Sequence, residues 1–463
     1  MSIPVKDLQT AGYLKAANLD RLRARSFPGV STDTRTLAAG ELYVALRGEQ
    51  FDGNRFVAQA FAKGARCAVV DERADTSSFS GEPYVVVKDT AAALGRLANI
   101  YRRRFSIPVL AVAGSNGKTT SKEMIASVLG TTYRVLSTAG NLNNHIGVPQ
   151  TIFRLRNTHE VAVVEVGTNH FGELKYLCRV LEPTHGVITN IGHEHLEFFK
   201  TLRGVAKAEG ELFAGLSASG TAFVNLDDPY IARFTTPARK KVTYGFSGKN
   251  ASVRGSRAEV DARGCARFSA KAKGVKEFRV ELSTPGKHGM MNALAAVAVG
   301  VAFGVPAAKI RTALGSFSAV GKRMEVVRTG GVTILNDTYN ANPDSVIAAL
   351  ETLSAMKCAG KKIVILGDML ELGATARREH ERIGERISAL GLANVLTFGP
   401  EARSINRRVK SDVNFHYDQK NMLSEYAAEL TGRGDIVLVK GSRGMKMEDV
   451  VAFLRERLKR RAA

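Results

Sequence analysis

Cysteine is scarce in this chain. Cys67, Cys178, Cys265 and Cys358 lie far apart among 463 residues, and none forms a Cys-x-x-Cys pair. That spacing indicates neither a zinc site nor a disulfide framework, so reduced, mostly buried thiols are expected. Long apolar runs are missing too. The most apolar stretch, 289–305, contains Asn292 and Gly300, falls short of a membrane span and reads as a buried helix. The first residues lack the basic-then-apolar pattern of a secretory signal, and a soluble cytoplasmic protein without a membrane span is expected. Acidic residues are also in deficit: 44 stand against 66 basic ones, a formal charge of +22. Nucleic-acid binding would use such an excess. Here, however, the cations are spread along the chain, with local clusters such as 102–104 and 459–461, and aromatics do not interleave with them. An enzyme handling polyanionic nucleotides fits better, because positive potential steers such substrates, and no nucleic-acid partner is expected.

What the chain does have is an alternation of strand and helix patterns in three blocks, in line with roughly 100–200 residues per domain. Residues 1–105 carry short apolar runs at Leu42–Leu46, Ala68–Val70 and Tyr84–Val87. The stretch 102–108, charged and then broken by Pro108, reads as a linker. Residues 106–321 open with the apolar strand 109–113. A glycine loop follows, then a helix showing Met124, Ile125, Val128 and Leu129 at helical spacing, with further strands at 161–166, 186–189 and 222–225. This predicts an α/β domain with a parallel sheet. Residues 322–463, with strands at 362–366, 395–398 and 436–439, predict a smaller Rossmann-like unit.

The most informative motif is Gly114-Ser115-Asn116-Gly117-Lys118-Thr119-Thr120. Placed between a strand and a helix, it has the context of a phosphate loop: glycines let backbone N–H groups approach phosphate oxygens, and the helix N-terminus favours anions. Lys118 is assigned to the β- and γ-phosphates and the Thr119 hydroxyl to Mg²⁺. Only two residues separate Gly114 from Gly117, where the usual loop has four. No guanine-reading Asn-Lys-x-Asp tetrad occurs, which makes ATP the expected nucleotide.

The compressed loop resembles that of the Mur ligases and folylpolyglutamate synthases, and the likeness extends over nearly the whole chain. Ser31-Thr32-Asp33-Thr34-Arg35, 40–46 and Phe51-Asp52-Gly53 are similar to the UDP-muramoyl-binding domain of the Mur ligases. Residues 367–373 (Gly-Asp-Met-Leu-Glu-Leu-Gly) and 440–448 (Lys-Gly-Ser-Arg-Gly-Met-Lys-Met-Glu) resemble the branch that adds D-alanyl-D-alanine. The Asp-Asn-Pro-Arg stretch of the diamino-acid-adding branch is not found. The resemblance implies an ATP- and Mg²⁺-dependent ligase of the cell-wall precursor pathway. Its substrates would be UDP-N-acetylmuramoyl-tripeptide and D-alanyl-D-alanine, joined through an acyl phosphate by a monomer.

The resemblance also implies roles. Glu165 and His195 join Thr119 as Mg²⁺ ligands; His195 rather than His193 precedes the Leu-Glu pair, and a zinc site is not indicated by the His-Glu-His spacing. Asn292 contacts adenine, Asp337 lies near the ribose, and Arg323 reaches the γ-phosphate from the third block. Asn141 and Asn144 touch the UDP-muramoyl substrate, as do Ser31, Asp33 and Arg35, while Asn340 and Asn342 help place the dipeptide.

One position departs from the family pattern. Where most members carry a lysine that carbon dioxide converts to a carbamate, alignment on Gly210-Glu211-Leu212 places Glu209. Its carboxylate is the kind of group a hard cation prefers, and it is read as a catalytic substitute for the carbamate.

Overall fold

The structure, a computed structural model, describes residues 2–48, 51–248 and 250–462. It is an α/β protein with three larger sheets. The first sheet runs Lys15–Ala17, Tyr84–Val87, Cys67–Asp71, Leu42–Val44, Val30–Ser31. It is parallel except at Lys15–Ala17.

The central sheet has nine strands, and seven of them, from Val253–Val260 across to Val135–Ser137, run parallel. Val109–Ala113, Val161–Glu165 and Thr221–Asn225 are buried along their whole length, as expected for parallel strands covered by helices on both faces. Val109–Ala113 lies between Val161–Glu165 and His185–Ile188. After Val109–Ala113 the chain builds one side of the sheet as far as the edge strand Val135–Ser137, and then the other side. That reversal of strand order opens a crevice beyond the carboxyl ends.

The helices Lys118–Gly130 and Gly289–Ala302 pack together on one face of this sheet. Met124, Ile125, Val128 and Leu129 are all fully buried there. Gly300 permits the close approach, since a Cβ on it would meet Val128 Cγ1 at 2.7 Å. The apolar stretch around 289–305 is thus an interior helix, and no described helix is long and apolar enough to cross a membrane.

Two parts of the fold escaped the sequence reading. Val253–Val260, Cys265–Ala272 and Val275–Pro285 form an antiparallel extension of the central sheet. Their half-exposed, alternating burial gives no apolar run to detect. The third sheet, ordered Glu325–Thr329, Val332–Asp337, Ile436–Lys440, Lys362–Gly367, Asn394–Phe398, Val413–Tyr417, starts with an antiparallel hairpin. Its two-residue turn is Gly330-Gly331, with φ of 57° and 76°, a conformation that favours glycine at both positions.

The stretch 102–108 is not a free linker. Arg102 ends the helix Thr90–Arg102 and is buried, donating from Nε to the Leu181 carbonyl at 3.0 Å and from a terminal nitrogen to the Phe105 carbonyl at 2.6 Å. Arg103 pairs with Glu182, and Arg104 with Asp7. The basic cluster therefore fastens the first block to the second, and one apolar core runs through both, from Ile3 to Ala238. Three of the cysteines are buried and Cys358 is partly so.

Candidate active site

The loop 114–120 connects the strand Val109–Ala113 to the helix Lys118–Gly130. Gly114 has φ +114°, and a Cβ there would collide with Thr189 Oγ1; Gly117 has φ +79°, and a Cβ would lie 2.5 Å from Asn292 Oδ1. Both positions therefore need glycine for backbone conformation and for space. The neighbouring segment 189–192 braces the loop: Ser115 N–H donates to Asn190 O, Asn116 N–H to Asn190 Oδ1, and Gly192 N–H to Ser115 Oγ.

A cleft of about 970 Å³ opens at the carboxyl ends of the strands. Residues 115–120, Asn141, Asn144, Glu165, His195 and Asn292 line it from the central block, and Arg323, Asp337, Asn340 and Asn342 from the third. Ser31, Asp33 and Arg35 are not among its lining residues. They form a turn of their own: Ser31 Oγ bonds to the Asp33 backbone, and Arg35 pairs with Asp33 at 2.6 Å, which with the Arg35 N–H holds that carboxyl down at about 2. Thr32 ties this turn to the central block by accepting from Gln150 Nε2 at 2.9 Å.

Lys118 lies among carboxylates. Its Nζ is 3.2 Å from Glu194 Oε2. Burial works against the ammonium, but Glu194, Glu209 and Glu165 outweigh it and raise Lys118 above its ordinary value. Glu209 is fully buried beneath the loop, where its Oε2 accepts from Gly114 N–H at 2.7 Å. Burial, then the charge of Glu194, push Glu209 up to about 8, against the pull of Lys118. Glu165 is oriented by Asn143, whose Nδ2 donates to Oε1 at 2.8 Å. Asn144 is engaged locally, its Oδ1 accepting from Ile146 and Gly147 N–H.

The third block closes onto this loop. Asn342 Nδ2 donates to Asn116 Oδ1 at 2.9 Å, while Asn342 Oδ1 caps the helix Pro343–Ala355. His193 donates its N–H to Asp344 Oδ2 at 2.7 Å, and its ring Nδ1 lies 3.0 Å from the same oxygen. That contact raises the imidazole's pKa; burial opposes the Asp344 carboxylate, but the bonds from His193 lower it overall. His195 turns to Glu371, Nδ1 to Oε2 at 2.6 Å. The two histidines of the His-Glu-His run thus face different acids of the third block. Arg323 projects between Lys322 and Met324, which have φ of 63° and 51°, and its guanidinium lies 3.6 Å from the Tyr339 ring centroid. Asp337 is fully engaged, with Oδ1 accepting from Met324 N–H and Oδ2 pairing with buried Lys440 at 2.6 Å. Asn340 accepts from Lys440 Nζ and from Arg443 N–H.

Asn143, Glu194, Tyr339, Asp344, Glu371 and Lys440 were not among the sequence candidates. Glu194, Glu371 and Lys440 lie inside motifs already singled out, and Asn143 stands between two residues already named, so the motifs carried the signal and the individual residue did not.

The donor set suits a hard cation. Glu165 Oε2, Glu194 Oε1 and Glu209 Oε1 are buried oxygens without a hydrogen-bond partner. With Glu209 pushed up to about 8 and so largely protonated, Glu165 and Glu194 around one ammonium would still repel a triphosphate unless further positive charge accompanied it. Among the described residues no three His, Cys, Asp or Glu side chains converge as a ready-made metal cage.

Comparison with known proteins gives a consistent result. Profiles of the Mur ligase family match three stretches: the "Mur ligase family, catalytic domain" at 26–102, the "Mur ligase middle domain" at 112–300, and the "Mur ligase, glutamate ligase domain" at 322–443. The UDP-N-acetylmuramoyl-tripeptide--D-alanyl-D-alanine ligase of Bacillus subtilis (strain 168) is 37% identical over 433 residues, 92% of this chain and 93% of its own. The crystal structure of MurF from Acinetobacter baumannii superposes with a TM-score of 0.90 at 30% identity, covering 98% of this chain and 99% of that one. MurF ligase from Thermotoga maritima in complex with ADP gives 0.82 at 29% identity, over 94% and 98%.

Proposed function

The chain belongs to the Mur ligase family, and from that premise we propose that it is an ATP-dependent amide-bond ligase joining D-alanyl-D-alanine to UDP-N-acetylmuramoyl-tripeptide. The observation that carries the reading is the single cleft shared by the loop 114–120 and the carboxyl edge of the third sheet. A reaction that phosphorylates one substrate and then delivers a second to it needs both sites to open on one volume.

The tripeptide's terminal carboxylate attacks the γ-phosphorus, giving an acyl phosphate and ADP. The dipeptide amine then adds to the acyl carbon, and phosphate leaves from the tetrahedral intermediate. The protein's work is positioning and charge compensation. The backbone N–H groups of 117–120, at the helix N-terminus, hold the phosphates, with Lys118 as the bridging cation; those of Gly114, Ser115 and Asn116 are spent on bracing the loop. Asn292, packed on Gly117, offers a donor and an acceptor to the base. Arg323 supplies its guanidinium from the third block, so phosphoryl transfer depends on closure. Thr119, Glu165 and His195 would hold Mg²⁺, and a cation there would draw the proton from Glu209 and make it the further anion. When bound, the metal offsets phosphoryl charge. Asp337 acts on the nucleotide side through its ion pair with Lys440. Asn141 and Asn144 on the cleft, and Ser31, Asp33 and Arg35 on the first block, receive the UDP-linked substrate. Asn340 and Asn342 border the dipeptide.

Phosphate release against a panel of UDP-muramoyl peptides and amine acceptors tests the proposal. Turnover is expected only with ATP, the muramoyl tripeptide and D-alanyl-D-alanine together. Equal turnover with the muramoyl dipeptide and a free diamino acid would overturn it.

A further inference from the structure

The acceptor has two ends, a nucleophilic amine and a carboxylate about 7 Å away along an extended dipeptide. A cation is needed to hold that carboxylate, and the cleft's cations can be sorted by whether they already have a partner. Lys118 is held by Glu194, Lys440 by Asp337, His193 by Asp344 and His195 by Glu371. His145 and His288 line the cleft from exposed positions, and an imidazole is not permanently charged as a guanidinium is. Among the described residues, the two arginines of the cleft, Arg323 and Arg443, have no carboxylate at ion-pair distance.

Both lie over one ring. The Arg323 guanidinium carbon is 3.6 Å from the Tyr339 centroid and that of Arg443 5.1 Å. Two like charges within about 9 Å of each other repel, and the π face of a tyrosine offsets only part of that. Such an arrangement is completed by two anions. Arg323, at the junction with the central block, faces the nucleotide in the reading above. Arg443 belongs to the third block, and its backbone N–H bonds to Asn340 Oδ1 at 3.3 Å. It follows Ser442, whose hydroxyl accepts from Leu370 N–H and donates to Ala341 O. The loop that presents Arg443 is thereby fixed to both neighbouring strand ends.

Resting on the ligase reading, we propose that Arg443 binds the terminal carboxylate of the acceptor dipeptide, with Tyr339 as the plate that positions its guanidinium. Arg443 then selects a free C-terminus at a set distance from the attacking amine. It excludes C-terminally blocked acceptors, because a guanidinium fork is matched to a carboxylate and not to a carboxamide.

The test crosses the residue with the group it is said to bind. The KM for D-alanyl-D-alanine and for its C-terminal amide is measured in the wild type, Arg443→Ala and Arg443→Lys, with KM for ATP and the UDP-linked substrate and the thermal midpoint alongside. The wild type is expected to prefer the free acid by about 30-fold or more, the size of losing one charged partner. Arg443→Ala should raise the KM for the acid by a similar factor, leave that for the amide unchanged and so lose the preference. Arg443→Lys should recover part of it. ATP and UDP-substrate KM and the midpoint should hold. An Arg443→Ala enzyme that still discriminates acid from amide as the wild type does overturns the proposal. A wild type that uses neither acceptor overturns the ligase reading instead.

Discussion

His195 and Glu371 meet at 2.6 Å across the junction of the central and third blocks, and both sit in left-handed backbone, with φ of 47° and 62°. Two non-glycine residues in that region are a local cost which the rest of the structure sustains. The bond to His195 holds the Glu371 carboxyl below its ordinary value. An acid on the other nitrogen of a metal-site histidine fixes the tautomer and the ring's direction. In this protein that acid comes from the third block.

Glu371→Gln should therefore weaken divalent-cation binding by roughly 10-fold, as loss of such an orienting partner does. Mn²⁺ binding followed by electron paramagnetic resonance, with the nucleotide present, checks it. Unchanged affinity would reduce the contact to packing.

Arg323→Ala should lower kcat by roughly 100-fold or more while KM for ATP moves little. The reason is that a cation delivered by closure contributes to the transition state more than to binding. Steady-state kinetics at saturating ATP decide. A collapse of ATP affinity with turnover intact would make Arg323 a ground-state contact.

Glu209 makes two separable contributions, the brace to Gly114 N–H and the anion beside the phosphates. Wild-type activity should be the same with and without bicarbonate, since no carbamate has to form. Glu209→Gln can still accept from Gly114 but carries no charge. If the anion matters, it should lose activity nearly as Glu209→Ala does. Glu209→Lys should be worst without bicarbonate and recover in part with it. A strong bicarbonate requirement in the wild type, or full activity in Glu209→Ala, would end this assignment.

The His193–Asp344 contact predicts a pH-dependent closure. The imidazole's pKa is raised from its ordinary 6.5, so its contribution is complete below that value and fades as pH rises through the elevated one. The Asp344 pKa is lowered from 3.8, so its contribution is present above that value and fades only as pH falls through the depressed one. The contact is strongest between the two ordinary values. Small-angle scattering across about pH 5.5–9 should show a more open population at the alkaline end. Asp344→Asn should flatten that dependence. A profile identical in wild type and variant would remove this pair from the closure equilibrium.

Much of the architecture was legible because it is local. A buried strand, a glycine turn and a helix follow one another in 109–130, and the phosphate loop needs nothing from elsewhere to be recognised. The interior helix at 289–302 announced itself by being apolar all round. The antiparallel strands between 253 and 285 did not, because alternate residues face solvent and break up every contiguous apolar run. The stretch 103–108 does connect the helix Thr90–Arg102 to the strand Val109–Ala113, but that its arginines are tied down was not legible, for a related reason. Three arginines look solvated until the helices that carry Leu181 and Glu182 are brought against them.

By itself the sequence determined the nucleotide loop, the order of the motifs, the likeness to the Mur ligases and the unusual glutamate at position 209. All of these are carried by neighbours along the chain. The tertiary structure alone decided which charges meet. Lys118 finds Glu194, 76 residues away, Asp337 finds Lys440 across 103, and Asn116 finds Asn342 across 226. It also decided that Ser31, Asp33 and Arg35 stand apart from the main cleft while Tyr339 gathers two arginines within it. Such pairings follow from the order of strands in a sheet and the closure of one block on another. Hydrophobic burial over hundreds of residues sets both, and no local pattern of residues encodes either.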